Sequence, residues 1–210
     1  MTANSKVIVV DDDADLRNSL RCLFQTVGLN VEVFGTAEAF LESDQTKQPG
    51  CLLLDVRMPG MGGLQLLEYL QTVNGHLPVV VFTGHGDVPM VLQAMKSGAF
   101  AFLEKPATHQ EILDCVQKAL AFDQDRRRRD LERTNVEKLL AQLSPRELEV
   151  MDRLVAGMPN KKIAMDLAIS ERTLEKHRKN IMLKMELGSL AELIKLIVLY
   201  KEHIAPPESQ

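Results

Sequence analysis

Five short apolar runs, each followed by a segment with helical spacing, constrain the fold of the first 122 residues more than any other feature. The runs are four residues long and consist mostly of Val, Ile, Leu and Phe; they are residues 7–10, 31–34, 51–54, 79–82 and 100–103. Runs with little polar alternation are typical of parallel strands buried on both faces. The helical segments are the crossovers that parallel strands need. The sequence therefore predicts an α/β domain, a doubly wound five-stranded parallel sheet with helices on both faces.

From residue 123 onwards every signal is helical. Residues 125–130 contain no apolar side chain, which predicts a solvated helical linker, either separate from the preceding helix or continuous with it. Ser144 and Glu147 then have the spacing of a capping box, with Pro145 at the first helical position. Four helices follow, the third of them capped by Ser170. We expect a sheet domain over 5–122, a helical linker over 123–142 and an all-α four-helix domain over 143–204.

Charge is divided unevenly between the two halves. Residues 1–125 carry 8 Lys or Arg against 16 Asp or Glu, net −8, and residues 126–210 carry 17 against 13, net +4. The basic half is a candidate for nucleic-acid binding, although surface charge can also cluster by chance. The three cysteines have no metal-type spacing, and neither a secretory signal nor an apolar membrane segment is visible. We therefore expect a cytoplasmic protein with no membrane partner.

Polar side chains follow four of the five predicted strands at the point where each strand ends. They are Asp11, Asp12 and Asp13 after the first strand, Asp55 after the third, Thr83 after the fourth and Lys105 beyond the fifth. Ligands of open parallel sheets bind at this edge. Clustered carboxylates need a cation, and all-oxygen ligands suit Mg²⁺; a carboxylate can also act as a nucleophile towards phosphorus. The alternative is that these aspartates are helix caps and that Lys105 forms a surface ion pair.

Residues 5–122 resemble the receiver domain of bacterial two-component response regulators. The resemblance is carried by Val10-Asp11-Asp12, by Asp55 with Met58-Pro59-Gly60-Met61 and Gly63, by Thr83-Gly84-His85-Gly86-Asp87, and by Lys105-Pro106. It implies strand order 2-1-3-4-5, a cis Lys105–Pro106 bond, and Asp55 as the phosphoacceptor. Asp13 is expected to be peripheral.

The resemblance also implies the other roles in the pocket. Asp11, Asp12, Asp55 and the Arg57 carbonyl would hold Mg²⁺, or Mn²⁺ in its place. Thr83 and Lys105 would bind the phosphoryl oxygens, and Phe102 would occupy the aromatic switch position. The chain departs from the family at Ala107, where Phe is frequent, which puts the packing behind the fifth strand in question but not the chemistry.

The third helix of the second domain has the pattern of a recognition helix. Leu174, Ile181 and Met185 fall on one side at 3.6 residues per turn. The opposite side carries Arg172, Glu175, Lys176, Lys179 and Leu183. Five basic residues against two glutamates give the segment 171–184 a net charge of +3. The pattern fits a helix-turn-helix whose third helix enters the major groove, or alternatively a solvated basic helix in a small bundle.

Residues 140–203 resemble the LuxR-type output domain. The matching segments are Leu143-Ser144-Pro145-Arg146-Glu147, Asn160-Lys161-Lys162-Ile163-Ala164, Ile169-Ser170 and Thr173-Leu174-Glu175-Lys176-His177. The resemblance implies base contacts from Glu175, Lys176 and Lys179. The implied phosphate contacts are Arg172, Thr173, Arg178, Lys184, Asn160 and Lys161. With the segment 85–90, the whole chain is similar to the FixJ and StyR subfamily of response regulators.

These resemblances imply a transcription regulator that is switched by phosphorylation, and they favour an activator. The implied partners are a sensor histidine kinase, double-stranded promoter DNA, RNA polymerase and a second copy of the chain. The dimer surface would include Val91, Met95 and Ile112 in the receiver; the last helix (Leu190, Leu193, Ile194, Ile197 and Val198) would either pair two output domains or form only core.

Two other functions compete with this one. A phosphohydrolase that forms an aspartyl-phosphate would need a second Asp two residues after the nucleophile, where this chain has Arg57. We therefore expect no enzymatic activity beyond phosphorylation and dephosphorylation of Asp55. The other alternative is a constitutive DNA-binding regulator with a purely structural receiver.

Overall fold

The computed structural model describes residues 6–43, 45–73, 77–84 and 86–204, with side chains up to 202. Ser5, the predicted start of the receiver, and His85 lie outside the described residues. The chain divides into two compact units, one up to Arg127 and one from Arg128. The predicted boundaries, with a linker over residues 123–142, stay a prediction.

The first unit is a five-stranded parallel sheet. Its strands are β1 (Lys6–Val10), β2 (Asn30–Phe34), β3 (Gly50–Leu54), β4 (Val79–Thr83) and β5 (Ala101–Glu104). Their spatial order is β2-β1-β3-β4-β5, and all the paired neighbours run parallel. The predicted fold class and strand order are confirmed.

Helices connect the strands and begin at capping residues. They are α1 (Ala14–Thr26), α2 (Ala37–Glu42), α3 (Gly63–Thr72), α4 (Val88–Lys96) and α5 (His109–Leu140), with a short 3₁₀ turn at Gln45–Lys47. The side chains of Asp13, Thr36 and Asp87 accept backbone N–H groups at the starts of α1, α2 and α4. Thr108 and Glu111 form the predicted reciprocal cap before α5.

Alternate residues of the central strands enter two apolar layers, one on each face of the sheet. Ile8, Leu52 and Leu54 belong to one layer, and Val9 and Leu53 belong to the other. Every residue of β3 and of β4 is buried, as the continuous apolar runs predicted. The covered faces leave the carboxyl ends of the strands as the open edge of the sheet.

The second unit contains four further helices. They are α6 (Pro145–Val155), α7 (Asn160–Asp166), α8 (Glu171–Lys184) and α9 (Leu190–Ile204). The Ser144–Glu147 capping box forms as predicted. Leu174 and Ile181 of α8 are fully buried in an apolar core that also includes Leu193 and Ile197 of α9.

Helix α5 continues into the predicted helical linker, but the start of that linker is buried instead of solvated. It is a single helix of 32 residues, and Asp123, at the start of the predicted linker, is only 2% exposed. Ile112, which the expected receiver dimer surface included, is 3% exposed and lies in the core. Its side chain is therefore unavailable for that surface.

Candidate functional site

The ends of β1 and β3 bring three carboxylates together. The Asp55 N–H donates to the Val10 carbonyl at 2.9 Å, which sets Asp55 beside Asp11. Asp11, Asp12 and Asp55 each offer an oxygen, and these oxygens lie within 4.8 Å of one another. Asp11 and Asp55 are buried, whereas Asp12 is exposed. Because like charges this close repel one another, the group fits a divalent cation that prefers oxygen ligands, such as Mg²⁺.

Lys105 brings positive charge to the same carboxylates from the end of β5. Its Nζ lies 2.6 Å from Oδ2 of Asp11 and 3.5 Å from Oδ2 of Asp55. The ammonium also lies 5.3 Å from the centre of the Phe82 ring, within the range of a cation–π interaction. The Lys105–Pro106 peptide bond is cis, as the receiver resemblance implied. Lys105 is thus directed into the carboxylate site and is no longer explained by a surface ion pair.

The Asp11 carboxyl lies where burial, and to a smaller extent the nearby Asp55 carboxylate, oppose its ionisation. Burial raises the pKa of the Asp11 carboxyl above its ordinary value, because the charged form loses water. Hydrogen bonds from Lys105 and from the Asp13 N–H oppose the rise in pKa, and the charge of Asp55 adds to it. A bound cation would favour the ionised form of Asp11, and this supports the fit of the site to a metal ion.

The backbone around Asp55 is held by close contacts. Oδ1 of Asp55 accepts the Val56 N–H at 2.8 Å, and the Gly63 N–H donates to the Val56 carbonyl at 2.9 Å. A Cβ at Gly63 would lie 2.0 Å from the Asp55 carbonyl oxygen, so only glycine fits at that position. The loop from Asp55 to α3 therefore closes tightly and fixes the orientation of the Asp55 carboxylate.

The remaining predicted receiver residues lie around this centre. Thr83 is 1% exposed at the end of β4, and its carbonyl accepts the Lys105 N–H at 2.9 Å. Arg57 is exposed in the loop after Asp55. Phe102 on β5 is half-buried against the core, and Asp13 caps α1. The structure therefore places the predicted pocket residues at one edge of the sheet, while their individual roles stay predictions.

Two residues that support the site were not singled out from the sequence. Arg17 of α1 donates to the Asp11 carbonyl at 2.5 Å, and Glu38 accepts the Met61 N–H at 2.8 Å in the loop after Asp55. This hydrogen bond lowers the pKa of Glu38. Nothing in the local sequence pattern indicates either contact, because both depend on how the helices pack against the strand ends.

In the helical unit, α8 has the two faces that its sequence predicts. Arg172, Lys176 and Lys179 are exposed opposite the buried row, together with Leu183, which is 79% exposed. Ala168 has a positive φ of 50° in the short connection from α7, where the chain turns before the Ser170 cap. Two helices joined by a tight turn, with basic residues on the outer face of the second, fit a helix-turn-helix.

Several predicted DNA contacts already have protein partners. Glu175 accepts from Arg178 at 2.8 Å and from the Asn160 amide at 3.3 Å. Lys184 donates to the buried carboxylate of Glu147 at 2.7 Å, which lowers the pKa of Glu147 to about 2. Lys161 and Thr173 are exposed. Lys184 therefore connects α8 to the start of α6, and its part in DNA binding stays a prediction.

Within the described ranges of the chain, no helix combines the length and the apolar character that crossing a bilayer requires.

Comparisons with known proteins match both units. The response regulator receiver domain family matches residues 7–117, and the luxR family of bacterial regulatory proteins matches residues 141–197. The chain is 45% identical to nodulation protein W of Bradyrhizobium diazoefficiens over 192 residues, covering 90% of this chain and 84% of that protein. It is 44% identical to the transcriptional regulatory protein FixJ of Azorhizobium caulinodans over 199 residues, covering 95% and 94% respectively. The solved structure of the response regulator StyR superposes with a TM-score of 0.84 at 42% identity, covering 93% of this chain and 99% of that one.

Proposed function

The chain belongs to the response regulators that combine a receiver domain with a LuxR-type regulatory domain, and on this basis we propose that Asp55 is its phosphoacceptor. A protein of this kind is a transcription regulator controlled by phosphorylation, and its output is DNA binding. The convergence of Asp11, Asp12 and Lys105 on Asp55 carries the proposal.

The transfer step uses the Asp55 carboxylate as nucleophile. A carboxylate oxygen attacks the phosphorus of a phosphohistidine on a sensor kinase; the P–O bond forms while the P–N bond breaks, and the nitrogen keeps the electron pair. Lys105 exchanges its contact with Asp11 for one with a phosphoryl oxygen and neutralises part of the charge there. The Thr83 hydroxyl donates to another phosphoryl oxygen. Acetyl phosphate can replace the kinase as a small donor.

Asp11, Asp12, Asp55 and the Arg57 carbonyl are the proposed ligands of Mg²⁺, with Mn²⁺ as a substitute. The bound cation supplies charge neutralisation at the phosphoryl oxygens. The residues fit this role because two of the carboxylates are buried side by side and the pKa of Asp11 is raised there.

Movement of Thr83 and Lys105 towards the phosphoryl group is the proposed switch. Phe102 lies on β5, three residues before Lys105 in the chain. A Cβ at Gly86 would come within 3.0 Å of the Phe102 ring, so Gly86 lies against this ring. A shift of Gly86 therefore biases the Phe102 side chain between two positions.

The exposed row of α8 is the proposed DNA-reading surface. Glu175, Lys176 and Lys179 contact base edges. The contacts that orient the domain on the phosphates come from Arg172, Thr173, Arg178, Lys184, Asn160 and Lys161. Double-stranded promoter DNA is the partner of this unit. Because bacterial DNA lies in the cytoplasm, the regulator acts there. RNA polymerase is a further partner of a promoter-bound activator.

Phosphorylation is proposed to favour a homodimer through the surface of α4, β5 and α5. Of the α4 residues predicted for this surface, Met95 is 48% exposed and Val91 is half-buried. Val88 and Leu92 extend the exposed apolar row of α4 at helical spacing, at 72% and 55% exposure. Sedimentation across micromolar concentrations tests this surface: equal sedimentation with and without phosphorylation contradicts switched dimerisation.

Intact-protein mass spectrometry after incubation with acetyl phosphate and Mg²⁺ tests the phosphoacceptor. We expect a gain of one phosphoryl group in the wild type, and no gain in Asp55→Asn or without Mg²⁺. Asp13→Asn is the matched control, because Asn also caps a helix and Asp13 lies beside the acidic pair. A phosphoryl gain that persists in Asp55→Asn overturns the assignment.

A further inference from the structure

Asp123 is a buried charged residue that the phosphoryl chemistry does not use. Its side chain is 2% exposed, although it lies on α5 at the point where the helix leaves the receiver unit. A buried carboxylate costs several kcal/mol unless it is paired and hydrogen-bonded. Its presence here therefore requires partners that hold it in place.

Three donors surround the Asp123 carboxylate. Oδ1 accepts from Arg126 at 2.5 Å, and Oδ2 accepts from Nε of Arg127 at 2.7 Å and from the backbone N–H of Gly50 at 3.0 Å. Arg127 also donates to the backbone carbonyls of Gln48 at 2.6 Å and Lys47 at 3.2 Å. We name Gly50, Asp123, Arg126 and Arg127 the α5 anchor. These contacts fasten one turn of α5 to the chain segment that enters β3.

The α5 anchor lies at one end of the strand whose other end carries the phosphoacceptor. Gly50 is the first residue of β3, and Asp55 directly follows the last. All five residues of the strand are buried between β1 and β4. A Cβ at Gly50 would lie 2.2 Å from the Lys6 carbonyl oxygen, so the strand ends are closely packed. At about 3.3 Å per residue the anchor and Asp55 are separated by roughly 17 Å of packed strand.

Helix α5 continues from the anchor to Leu140, beyond the unit that holds Asp55. Coupling between distant sites is carried by packed secondary elements whose positions both sites can bias. Here β3 and α5 are joined by a charge-assisted network instead of by apolar contact alone, and such a network is geometrically specific.

We propose that the α5 anchor transmits the phosphorylation signal from β3 to the helix that leads to the DNA-binding unit. Asp123 and Arg127 are the positioning residues in this transmission. The inference rests on the proposed function, because it requires phosphorylation of Asp55 to change DNA affinity. It gives Arg126 and Arg127, the first two residues of the arginine run, a role inside the receiver unit.

The test compares wild type with Asp123→Asn and Arg127→Gln. Asp123→Asn keeps the side-chain shape and removes the charge, and Arg127→Gln leaves the Gly50 and Arg126 contacts of Asp123 intact. Arg128→Gln is the matched control, because Arg128 is 63% exposed and pairs with Glu132 at 3.4 Å. The probe is a short duplex selected from random sequence by wild-type protein treated with acetyl phosphate and Mg²⁺. Three quantities are measured on the full chain: the phosphoryl mass gain, the Kd without phosphorylation, and the ratio of Kd values with and without it.

We expect the wild type and Arg128→Gln to show a Kd ratio within the range of about 5–150 that is typical of allosteric coupling. In Asp123→Asn and Arg127→Gln the ratio falls to about 2 or less, below that range, while mass gain and unphosphorylated Kd stay at wild-type values. A purely structural role would lower the melting temperature and leave the ratio unchanged, and that result overturns the proposal. A wild type that gains the phosphoryl group without any change in Kd leaves Asp55 as the phosphoacceptor, but it overturns both the phosphorylation control of DNA binding and this inference.

Discussion

Lys105 is the residue on which the charge balance of the carboxylate site depends. Its ammonium is in contact with the carboxylates of Asp11 and Asp55, and it is 20% exposed. Replacing it leaves two buried carboxylates without their cationic side-chain partner. The same replacement removes a cation from the position where charge develops during phosphoryl transfer.

Lys105→Ala should slow phosphorylation of Asp55 by acetyl phosphate by about 10²-fold, since one preorganised donor of this kind is worth that much. The measurement is the rate of the phosphoryl mass gain at saturating Mg²⁺. Lys96→Ala is the control, because Lys96 is an exposed lysine in the last turn of α4. Equal rates in Lys105→Ala and Lys96→Ala would remove Lys105 from the transfer step.

The buried pair of Glu147 and Lys184 gives the helical unit a defined pH dependence. Because Lys184 lowers the pKa of Glu147 from 4.5 to about 2, the folded state binds the Glu147 proton less tightly than the unfolded state does. The stabilisation is therefore complete above pH 4.5 and is lost as the pH falls towards 2. Lys184 is 36% exposed, so screening by water limits the contribution to about 2 kcal/mol.

Glu147→Gln should accordingly flatten the fall in melting temperature of the helical unit between pH 5 and pH 2. Circular dichroism melts at several pH values measure this. Glu149→Gln is the matched control, since Glu149 pairs with Arg146 and is 50% exposed. If Glu147→Gln keeps the wild-type slope, the Lys184 contact does not set the pKa of Glu147.

At the scale of the element, the loop between β3 and α3 depends on two adjacent glycines that differ in their surroundings. A Cβ at Gly63 would lie 2.0 Å from the Asp55 carbonyl oxygen, whereas at Gly62 the nearest atom is 3.5 Å away. Gly63→Ala must displace the backbone that carries Asp55, but Gly62→Ala meets ordinary van der Waals contact.

We expect Gly63→Ala to lower the free energy of unfolding by about 1–3 kcal/mol and to reduce phosphorylation of Asp55 as well. Gly62→Ala should change the free energy of unfolding by about 1 kcal/mol or less. Urea denaturation and the phosphoryl mass gain report the two effects. A Gly63→Ala protein that matches Gly62→Ala in both measurements would contradict the tight closure of this loop.

The elements that the sequence predicts best are those set by local pattern. The continuous apolar runs of β3 and β4 identify buried strands, and the Ser144 and Thr108 caps identify helix starts. The convergence of Asp11 and Asp55 was also predictable, because parallel strands end at a common edge.

The contacts that the sequence does not predict join residues far apart in the chain. Asp123 and Gly50 are separated by 73 residues, and Lys184 and Glu147 by 37. A polar segment after residue 123 has the composition of a solvated linker, so the burial of Asp123 is visible only in the folded unit. At Ala107 the sequence indicated a change in packing but not its extent. Where the family frequently has Phe, the structure has a groove of about 380 Å³ between α1 and α5.

At the scale of the whole molecule, charge separates the sensing half from the output half. Residues 1–125 carry net −8 and residues 126–210 carry net +4. The phosphoryl group carries roughly −1.5 to −2 charges, but it replaces the single negative charge of the Asp55 carboxylate, so phosphorylation adds only about −0.5 to −1 to the acidic half. Added negative charge alone would weaken attraction to DNA. Tighter DNA binding on phosphorylation must therefore come from a conformational or oligomeric change.

The basic half should give DNA binding a measurable salt dependence that separates two kinds of contact. Lys161→Ala, at a predicted phosphate contact, should weaken binding to all duplexes alike and reduce the slope of log K against log salt by about 1. Lys179→Ala, at a predicted base contact, should also reduce the preference for the selected duplex over random DNA. Lys96→Ala in the receiver should change neither quantity, because its charge lies in the acidic half. Fluorescence anisotropy titrations at several salt concentrations measure both. If Lys161→Ala and Lys179→Ala reduced the slope equally and left the preference unchanged, both lysines would contact phosphates, and α8 would read the bases through other residues of its exposed row.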